Sequence, residues 1–161
     1  TYQKNQEFLL DLINKLPSKY KLMMVGDGEN FENINKMIID RNLKDRVVLT
    51  GIVNNTNEFY SSFDLFVLPS RWEGLPVVGL EAQANGLYSV MSNNIDKNVN
   101  IINKVDFLNI DNIDKWVEVI NFIINSKKNI NREQDTALFD INGINIEIEA
   151  DKLEKIYLGK E

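Results

Sequence analysis

The alternation of short apolar runs with longer amphipathic stretches constrains the fold of this sequence more than any other feature. Four runs are apolar almost throughout, which is typical of strands covered on both faces of a parallel sheet. Because helical stretches separate them, the predicted fold class is α/β, with a doubly wound parallel sheet and helices on both faces. The four runs are KLMMVG at 21–26, VVLTG at 47–51, LFVLPS at 65–70 and YSVMS at 88–92.

The stretches between these runs carry apolar residues at the spacing of an amphipathic helix. Leu9, Leu12 and Leu16 are one example, and Pro17 stops their pattern. Asn42 stands where a left-handed cap would end the second helix. The predicted helices are 5–16, 31–41, a short polar helix at 55–61, and one that runs from Pro76 as its first residue to Gly86.

The last third of the sequence is expected to be mainly helical. VDFL at 105–108 predicts a last strand, and apolar residues from Ile113 to Ile124 mark a helix. Residues 131–158 predict a helical C-terminal tail with a break near Gly143. No repeat or linker divides the chain, so one domain is expected. Because it opens TYQKNQEF without an initiator Met, we expect it to be a fragment of a longer protein.

Composition excludes several classes of function. Acidic residues outnumber basic ones 24 to 18, so no nucleic-acid partner is expected. The absence of Cys excludes disulfides and thiolate metal sites, and the absence of His removes the commonest general base and most zinc sites. No apolar run approaches the ~18 residues that a membrane-spanning helix needs, so a soluble domain is expected.

Ligands of open parallel sheets bind beyond the carboxyl ends of the strands, which directs attention to four loops. The loops are rich in Gly and small polar residues, as suits a surface where backbone amides approach a ligand. Surface loops in general share this composition, so an ordinary loop remains the alternative. The four are GDGE at 26–29, GIVNN at 51–55, PSRWEG at 69–74 and SNN at 92–94.

The segment EGLPVVGLE at 73–81 has the most specific pattern. Glu73 precedes a predicted helix whose first amides, near Pro76, Val77 and Val78, lack intrahelical partners and can receive a phosphate. Glu81 lies on a helix side where an unpaired carboxylate would be costly, and a ligand hydroxyl could satisfy it. The alternatives are that Glu73 only complements the helix dipole, and that Glu81 is solvated or paired with a nearby Lys.

The sequence PSRWEGLPVVGLEAQANGL resembles the donor-site motif of the family 4 glycosyltransferases, which are retaining enzymes of the two-domain GT-B fold. The resemblance is strong over residues 3–95 and weak in the tail. It implies that residues 1–161 are a single Rossmann-like domain, the C-terminal nucleotide-sugar-binding domain of a GT-B enzyme. The other matching blocks, in order, are QKN at 3–5, LMMVGDGE at 22–29, VVLTGIV at 47–53 and FDLFVLPS at 63–70.

The resemblance also implies roles for individual residues. Glu73 would be the catalytic residue that contacts the hydroxyls of the donor sugar, and Glu81 would bind the ribose hydroxyls. Lys4 would bind the diphosphate, although a solvated charge near the terminus is the alternative. Gly26 and Gly28 would allow close approach of the donor, with an ordinary tight turn as the alternative. The remaining donor-binding positions are the backbone of Val53, facing the base, and of Gly74, Leu75, Pro76 and Val77, facing the sugar and distal phosphate.

The reaction implied for the full-length protein is transfer of a hexose from a UDP- or GDP-sugar to an acceptor hydroxyl with retention of configuration. The process would be bacterial polysaccharide or cell-surface glycan synthesis, without cofactor or metal. The expected partner is a missing N-terminal acceptor domain, through which any peripheral membrane association would arise. The expected location is the cytoplasm, including the inner face of the membrane.

One departure from the family and two alternatives qualify this interpretation. The family has an Arg a few residues before the diphosphate-binding Lys, and here that position would precede Thr1. We therefore expect this chain to bind donor weakly and to have no transferase activity by itself. The alternative functions are a nucleotide-sugar epimerase of the same fold and a non-catalytic binding module that kept the fold.

Overall fold

The computed structural model describes residues 1–126, 132, 136–141 and 143–159. Strands and helices alternate along this part of the chain as the apolar runs predict, and a single 3-10 turn at Lys97–Val99 follows β4. The strands are β1 (Leu22–Met24), β2 (Val47–Leu49), β3 (Phe66–Leu68), β4 (Ser89–Ser92) and β5 (Val105–Leu108). The helices are α1 (Gln6–Lys15), α2 (Phe31–Asp40), α3 (Thr56–Ser62), α4 (Val77–Ala84), α5 (Ile113–Asn125), α6 (Thr136–Ile141) and α7 (Ile146–Tyr157).

All the strand pairs are parallel, as predicted, but they form two hydrogen-bonded groups. Strand β1 pairs with β2 in one group, and β3, β4 and β5 follow one another in the other. The two groups share one apolar core, since Leu22 and Val67 pack in the same cluster. Apolar patterning identifies strands but does not specify which strands bond to each other, so the sequence did not predict this division.

Helices cover both faces of the three-stranded group. Val90 and Met91 are neighbours in β4, both have no exposed surface, and successive strand residues point to opposite faces. Val90 packs in the cluster that contains residues of α1, α2 and α5, whereas Met91 packs with Leu80 of α4. The predicted α/β class with helices on both faces is therefore confirmed.

The α1–α5 contact is centred on Trp116, which is completely buried. Its ring meets Phe8 of α1 edge to face, with 5.1 Å between ring centroids. Its indole Nε1 donates to the carbonyl of Asn109 at 2.9 Å, so burial leaves no polar atom of the ring unpaired. This contact fixes α1, and with it the N-terminal residues, against the sheet.

Two predicted helix ends can be compared with the structure in detail. Asn42 has a φ of 54°, which is the left-handed conformation expected after α2. The prediction that Pro76 is the first residue of α4 is wrong by one position, because its ψ of 115° is extended and the helix begins at Val77. Gly86 follows the C-cap Asn85 with a φ of 72°, as a helix-ending glycine does.

The predicted helical tail contains α6 and α7. Gly143 lies between them with a φ of 69°, at the position of the expected break. Residues 131, 133–135 and 142 of the predicted tail lie outside the described residues. In the part of the chain that the structure describes, no helix combines the length and the apolar character needed to cross a membrane.

Replacing Trp116 by alanine should lower the free energy of unfolding by about 3–5 kcal/mol, because it removes a fully buried ring and leaves a cavity. The matched control is Phe122→Ala on the same helix, where the ring is 59% exposed and the expected loss is about 1 kcal/mol or less. Urea denaturation of both variants measures the difference. Equal losses would contradict the placement of α1 and α5.

Candidate functional site

The loops that follow the carboxyl ends of the strands meet in pairs. The amide of Gly26, after β1, donates to the carbonyl of Gly51, after β2, at 3.0 Å. The amide of Asp96, in the segment after β4, donates to the carbonyl of Glu73, after β3, at 3.4 Å. The loops after β1 and β2 therefore lie side by side, as do the segments after β3 and β4, as expected at the carboxyl ends of parallel strands.

Glu73 is held by two donors from different parts of the chain. Its Oε1 accepts hydrogen bonds from Lys4 Nζ at 2.7 Å and from Ser70 Oγ at 2.6 Å. The Glu73 side chain is only 9% exposed, whereas that of Lys4 is 40% exposed. A carboxylate this buried requires such partners. Lys4 is therefore paired with Glu73, and the alternative of a solvated charge near the terminus is wrong.

Asn5 fixes the backbone that carries Lys4. Asn5 has a φ of 56°, a left-handed conformation that Asn tolerates better than most residues. Its Nδ2 donates to the carbonyl of Pro69 at 3.1 Å, and its Oδ1 accepts from Arg71 Nη2 at 3.0 Å. The backbone amide of Arg71 also donates to the carbonyl of Gln3 at 2.8 Å. The turn at residues 1–5 is thus attached to the loop that contains Glu73.

The segment that leads into α4 presents unpaired amides. Within the described residues, the amides of Gly74, Leu75, Val77 and Val78 have no hydrogen-bond acceptor, and α4 has no side-chain cap. Pro76 has no N–H and adds no donor to this group. A Cβ placed on Gly74 would meet no atom within 4 Å, so this segment borders open space. Unpaired amides at a helix start favour an anion.

Gly79 allows α4 to lie close to β4. A Cβ on this buried glycine would come within 2.9 Å of Met91 Cε and 3.2 Å of Val99 Cγ2. A larger residue here would have to displace these two side chains, so Gly79 suits the close packing of α4 on Met91 and Val99.

Glu81 is paired with a residue that the sequence did not indicate. Its Oε2 accepts a hydrogen bond from Tyr60 Oη of α3 at 2.9 Å. The alternative of pairing with a Lys is wrong in the described part of the chain, whereas the half-buried Glu81 side chain remains partly exposed to solvent. Burial, and then the hydrogen bond and charge of Glu81, raise the pKa of Tyr60 well above its usual range. The tyrosine consequently stays a donor at a higher pH than an ordinary tyrosine would.

The remaining predicted residues lie in the loops after β1 and β2. Gly26 has a φ of 122°, a conformation that favours glycine, and a Cβ on Gly26 or Gly28 would meet nothing within 4 Å. Val53 lies half-buried in the segment between β2 and α3. Among the described residues, no hydrogen bond joins these three to Lys4, Glu73 or Glu81.

Metal ligands are not clustered in the described ranges 1–126, 132, 136–141 and 143–159. Over those residues, no three side chains of His, Cys, Asp or Glu are grouped so that they could hold an ion. The nearest cation to Glu73 is the ammonium group of Lys4. The site as described therefore combines one ammonium group, unpaired amides and two partly satisfied carboxylates.

Comparison of the sequence with models of known protein families identifies its family. The sequence model described as "Glycosyl transferases group 1" matches residues 1–137, which is most of the chain and includes every predicted site residue. The chain belongs to this family. The predicted membership of a glycosyltransferase family is thus confirmed, and the comparison favours a glycosyltransferase over an epimerase.

Curated relatives of this glycosyltransferase chain come from bacterial glycan synthesis. It is 31% identical to UDP-Gal:alpha-D-GlcNAc-diphosphoundecaprenol alpha-1,3-galactosyltransferase of Escherichia coli, over 90% of the chain and 38% of the relative. It is 32% identical to the capsular polysaccharide biosynthesis glycosyltransferase CapH of Staphylococcus aureus, over 99% of the chain and 45% of the relative. The chain therefore spans less than half the length of these relatives.

Solved glycosyltransferase structures share the fold. Anabaena HepE in complex with UDP-glucose matches 96% of the chain with a TM-score of 0.76 and 20% identity, using 46% of its own length. Sucrose-phosphate synthase from Thermosynechococcus elongatus matches 100% of the chain with a TM-score of 0.79 and 19% identity, using 44% of its length. These similarities confirm the Rossmann-like fold.

The Tyr60–Glu81 pair predicts an unusual titration at high pH. The Tyr60 phenol should remain protonated well above pH ~10, where an ordinary tyrosine ionises. The difference in phenolate absorbance between wild type and Tyr60→Phe measures its titration. The contribution of this pair to stability should be complete below pH ~10 and decline above it, because the unfolded chain then releases a proton that the folded chain retains. A difference curve centred near pH ~10 would contradict the pairing.

Proposed function

We propose that this chain is the donor-binding half of a retaining glycosyltransferase that transfers a hexose from a UDP- or GDP-sugar to an acceptor hydroxyl. The observation that carries the proposal is the Lys4–Glu73 ion pair, which lies beside the unpaired amides before α4. This arrangement places hydrogen-bond donors for a diphosphate next to a hydrogen-bond acceptor for the hydroxyls of a sugar. The proposed process is the synthesis of a bacterial polysaccharide or cell-surface glycan.

The diphosphate is assigned to Lys4 and the amides from Gly74 to Val78. An ammonium group has three N–H donors, and Lys4 uses one of them on Glu73. The remaining donors of this partly exposed group can bond to phosphate oxygens without breaking the ion pair. As the sugar–phosphate bond breaks, negative charge grows on the departing diphosphate. A fixed ammonium group and fixed amides stabilise that charge without reorganisation.

Glu73 is assigned to the sugar. Lys4 and Ser70 both donate to its Oε1, and no donor in the described part of the chain reaches its Oε2. That second oxygen can accept hydrogen bonds from sugar hydroxyls. Because Lys4 and Ser70 hold the carboxylate in a fixed position, it is suited to orienting the sugar and to placing negative charge near the anomeric carbon. We assign it neither the role of a general base nor that of a covalent nucleophile.

Glu81 is assigned to the ribose of the nucleotide. It lies four residues after Val77, which places it about one turn beyond the start of α4. Glu73, the helix start and Glu81 thus follow one another along one segment. This order corresponds to the order of sugar, diphosphate and ribose in the donor. The backbone of Val53 is assigned to the base of the nucleotide. Gly26 and Gly28 are assigned to close approach of the donor.

The named relatives support UDP as the first nucleotide to test. The Escherichia coli relative is named for the donor UDP-Gal, and HepE was solved with UDP-glucose. We further propose that no metal or cofactor is needed, because Lys4 and the amides already supply positive charge and the sequence has no Asp-x-Asp motif. The acceptor would bind to another domain of the protein. The whole protein would act at the cytoplasmic face of a membrane.

Calorimetric titration of this chain with UDP and GDP tests the proposal. We expect weak but measurable binding of at least one nucleotide, and a loss of about tenfold in Lys4→Met because a charge-assisted bond to phosphate disappears. The matched control is Lys15→Met, which removes an exposed ion pair with Asp114 far from the loop. Absence of binding by the wild type, or equal losses in both variants, would refute the assignment.

A further inference from the structure

The contact between Tyr60 and Glu81 joins α3 to the motif segment. The phenol oxygen of Tyr60 lies 2.9 Å from Glu81 Oε2 and 3.3 Å from the carbonyl oxygen of Val78. A phenol has one proton to donate, and the charged carboxylate at the shorter distance is the stronger acceptor. The hydroxyl is therefore directed at Glu81.

The position of the Tyr60 ring is fixed by packing. The ring is 7% exposed and meets Phe63 and Phe66 edge to face, with centroid distances of 6.3 and 6.1 Å. Ala82 and Leu87 complete the same small cluster beneath α4. Because these contacts hold the ring, its hydroxyl has a fixed position. The hydrogen bond from this hydroxyl restrains the longer and more flexible Glu81 side chain.

Glu81 retains one oxygen for a ligand. Tyr60 donates to Oε2, and no donor in the described part of the chain reaches Oε1. A free glutamate side chain loses conformational entropy when it binds a ligand, at a cost on the order of 1 kcal/mol or more. A glutamate that is already held by a buried donor has lost most of that freedom before the ligand arrives.

We propose that Tyr60 is a positioning residue of the nucleoside subsite, which holds Glu81 so that its Oε1 accepts from the ribose hydroxyls. The inference deepens the proposed function and rests on it. Tyr60 does not itself touch the nucleotide in this account. Its effect should therefore depend on the ribose hydroxyls and be smaller for a nucleotide that lacks one of them.

The test compares UDP with 2′-deoxy-UDP in calorimetric titrations of the same chain. We expect the wild type to prefer UDP by about tenfold, as one hydrogen bond to a charged group implies. In Tyr60→Phe the preference should fall by about threefold or more, because binding of UDP weakens more than binding of 2′-deoxy-UDP, which keeps only its 3′-hydroxyl. The substitution keeps the ring and its contacts with Phe63 and Phe66.

Tyr88→Phe is the matched control. Tyr88 Oη also donates to a carboxylate, Asp106 Oδ2 at 3.1 Å, but Tyr88 precedes β4 and so lies at the opposite edge of the strands. This variant should keep the wild-type preference for UDP. If Tyr60→Phe keeps it as well, or weakens both nucleotides equally, Tyr60 has a structural role only and the proposal is overturned.

A measurement on the wild type keeps the proposal testable if Tyr60→Phe does not fold. In protein labelled with ¹³C at the Cζ of tyrosine, the Tyr60 resonance should shift more with UDP than with 2′-deoxy-UDP. Equal shifts with the two nucleotides would overturn the proposal. A wild type that binds neither UDP nor GDP would refute the proposed function, whereas binding with an unchanged preference in Tyr60→Phe would refute the positioning role alone.

Discussion

The ion pair between Lys4 and Glu73 connects two distant parts of the chain at the point where the chemistry is assigned. A carboxylate that is 9% exposed is stable only if its partners are in place, and they come from the N-terminal turn and from Ser70. The position of Lys4 depends in turn on Asn5, whose amide joins the carbonyl of Pro69 to the guanidinium of Arg71. Packing of α1 on α5 holds this turn against the strands.

The packing beneath α4 complements that polar connection. Gly79 allows the helix to approach β4, and Tyr60 supports Glu81 from α3. Both contacts hold the helix against its neighbours, β4 and α3. The groups assigned to the donor are therefore held before any ligand binds, and preorganisation of this kind lowers the cost of binding and of charge stabilisation. These few contacts are the main means by which the fold positions the residues of the site.

The sequence was sufficient to predict the strands and helix ends that depend on short segments of the chain. Apolar runs identified the five strands that the described residues contain, and Asn42 and Gly86 marked helix ends, because spacing and left-handed preference are properties of short segments. Contacts between distant segments were not accessible in this way. Tyr60 and Glu81 are 21 positions apart, and Asn5 and Pro69 are 64 apart, so no periodicity relates them. The error of one residue at Pro76 has a similar origin, since a proline suits both a helix start and an extended cap.

Mapping of backbone amide shifts by NMR, on addition of UDP to the ¹⁵N-labelled chain, tests the central claim most directly. Our account predicts that the largest shifts occur at Lys4, at Glu81, in the segment from Gly74 to Val78, and in the loops after β1 and β2. The residues that precede β4 and β5, at the opposite edge of the strands, should change little. Shifts concentrated at that opposite edge, or on α7, would contradict the assignment of the donor to the start of α4.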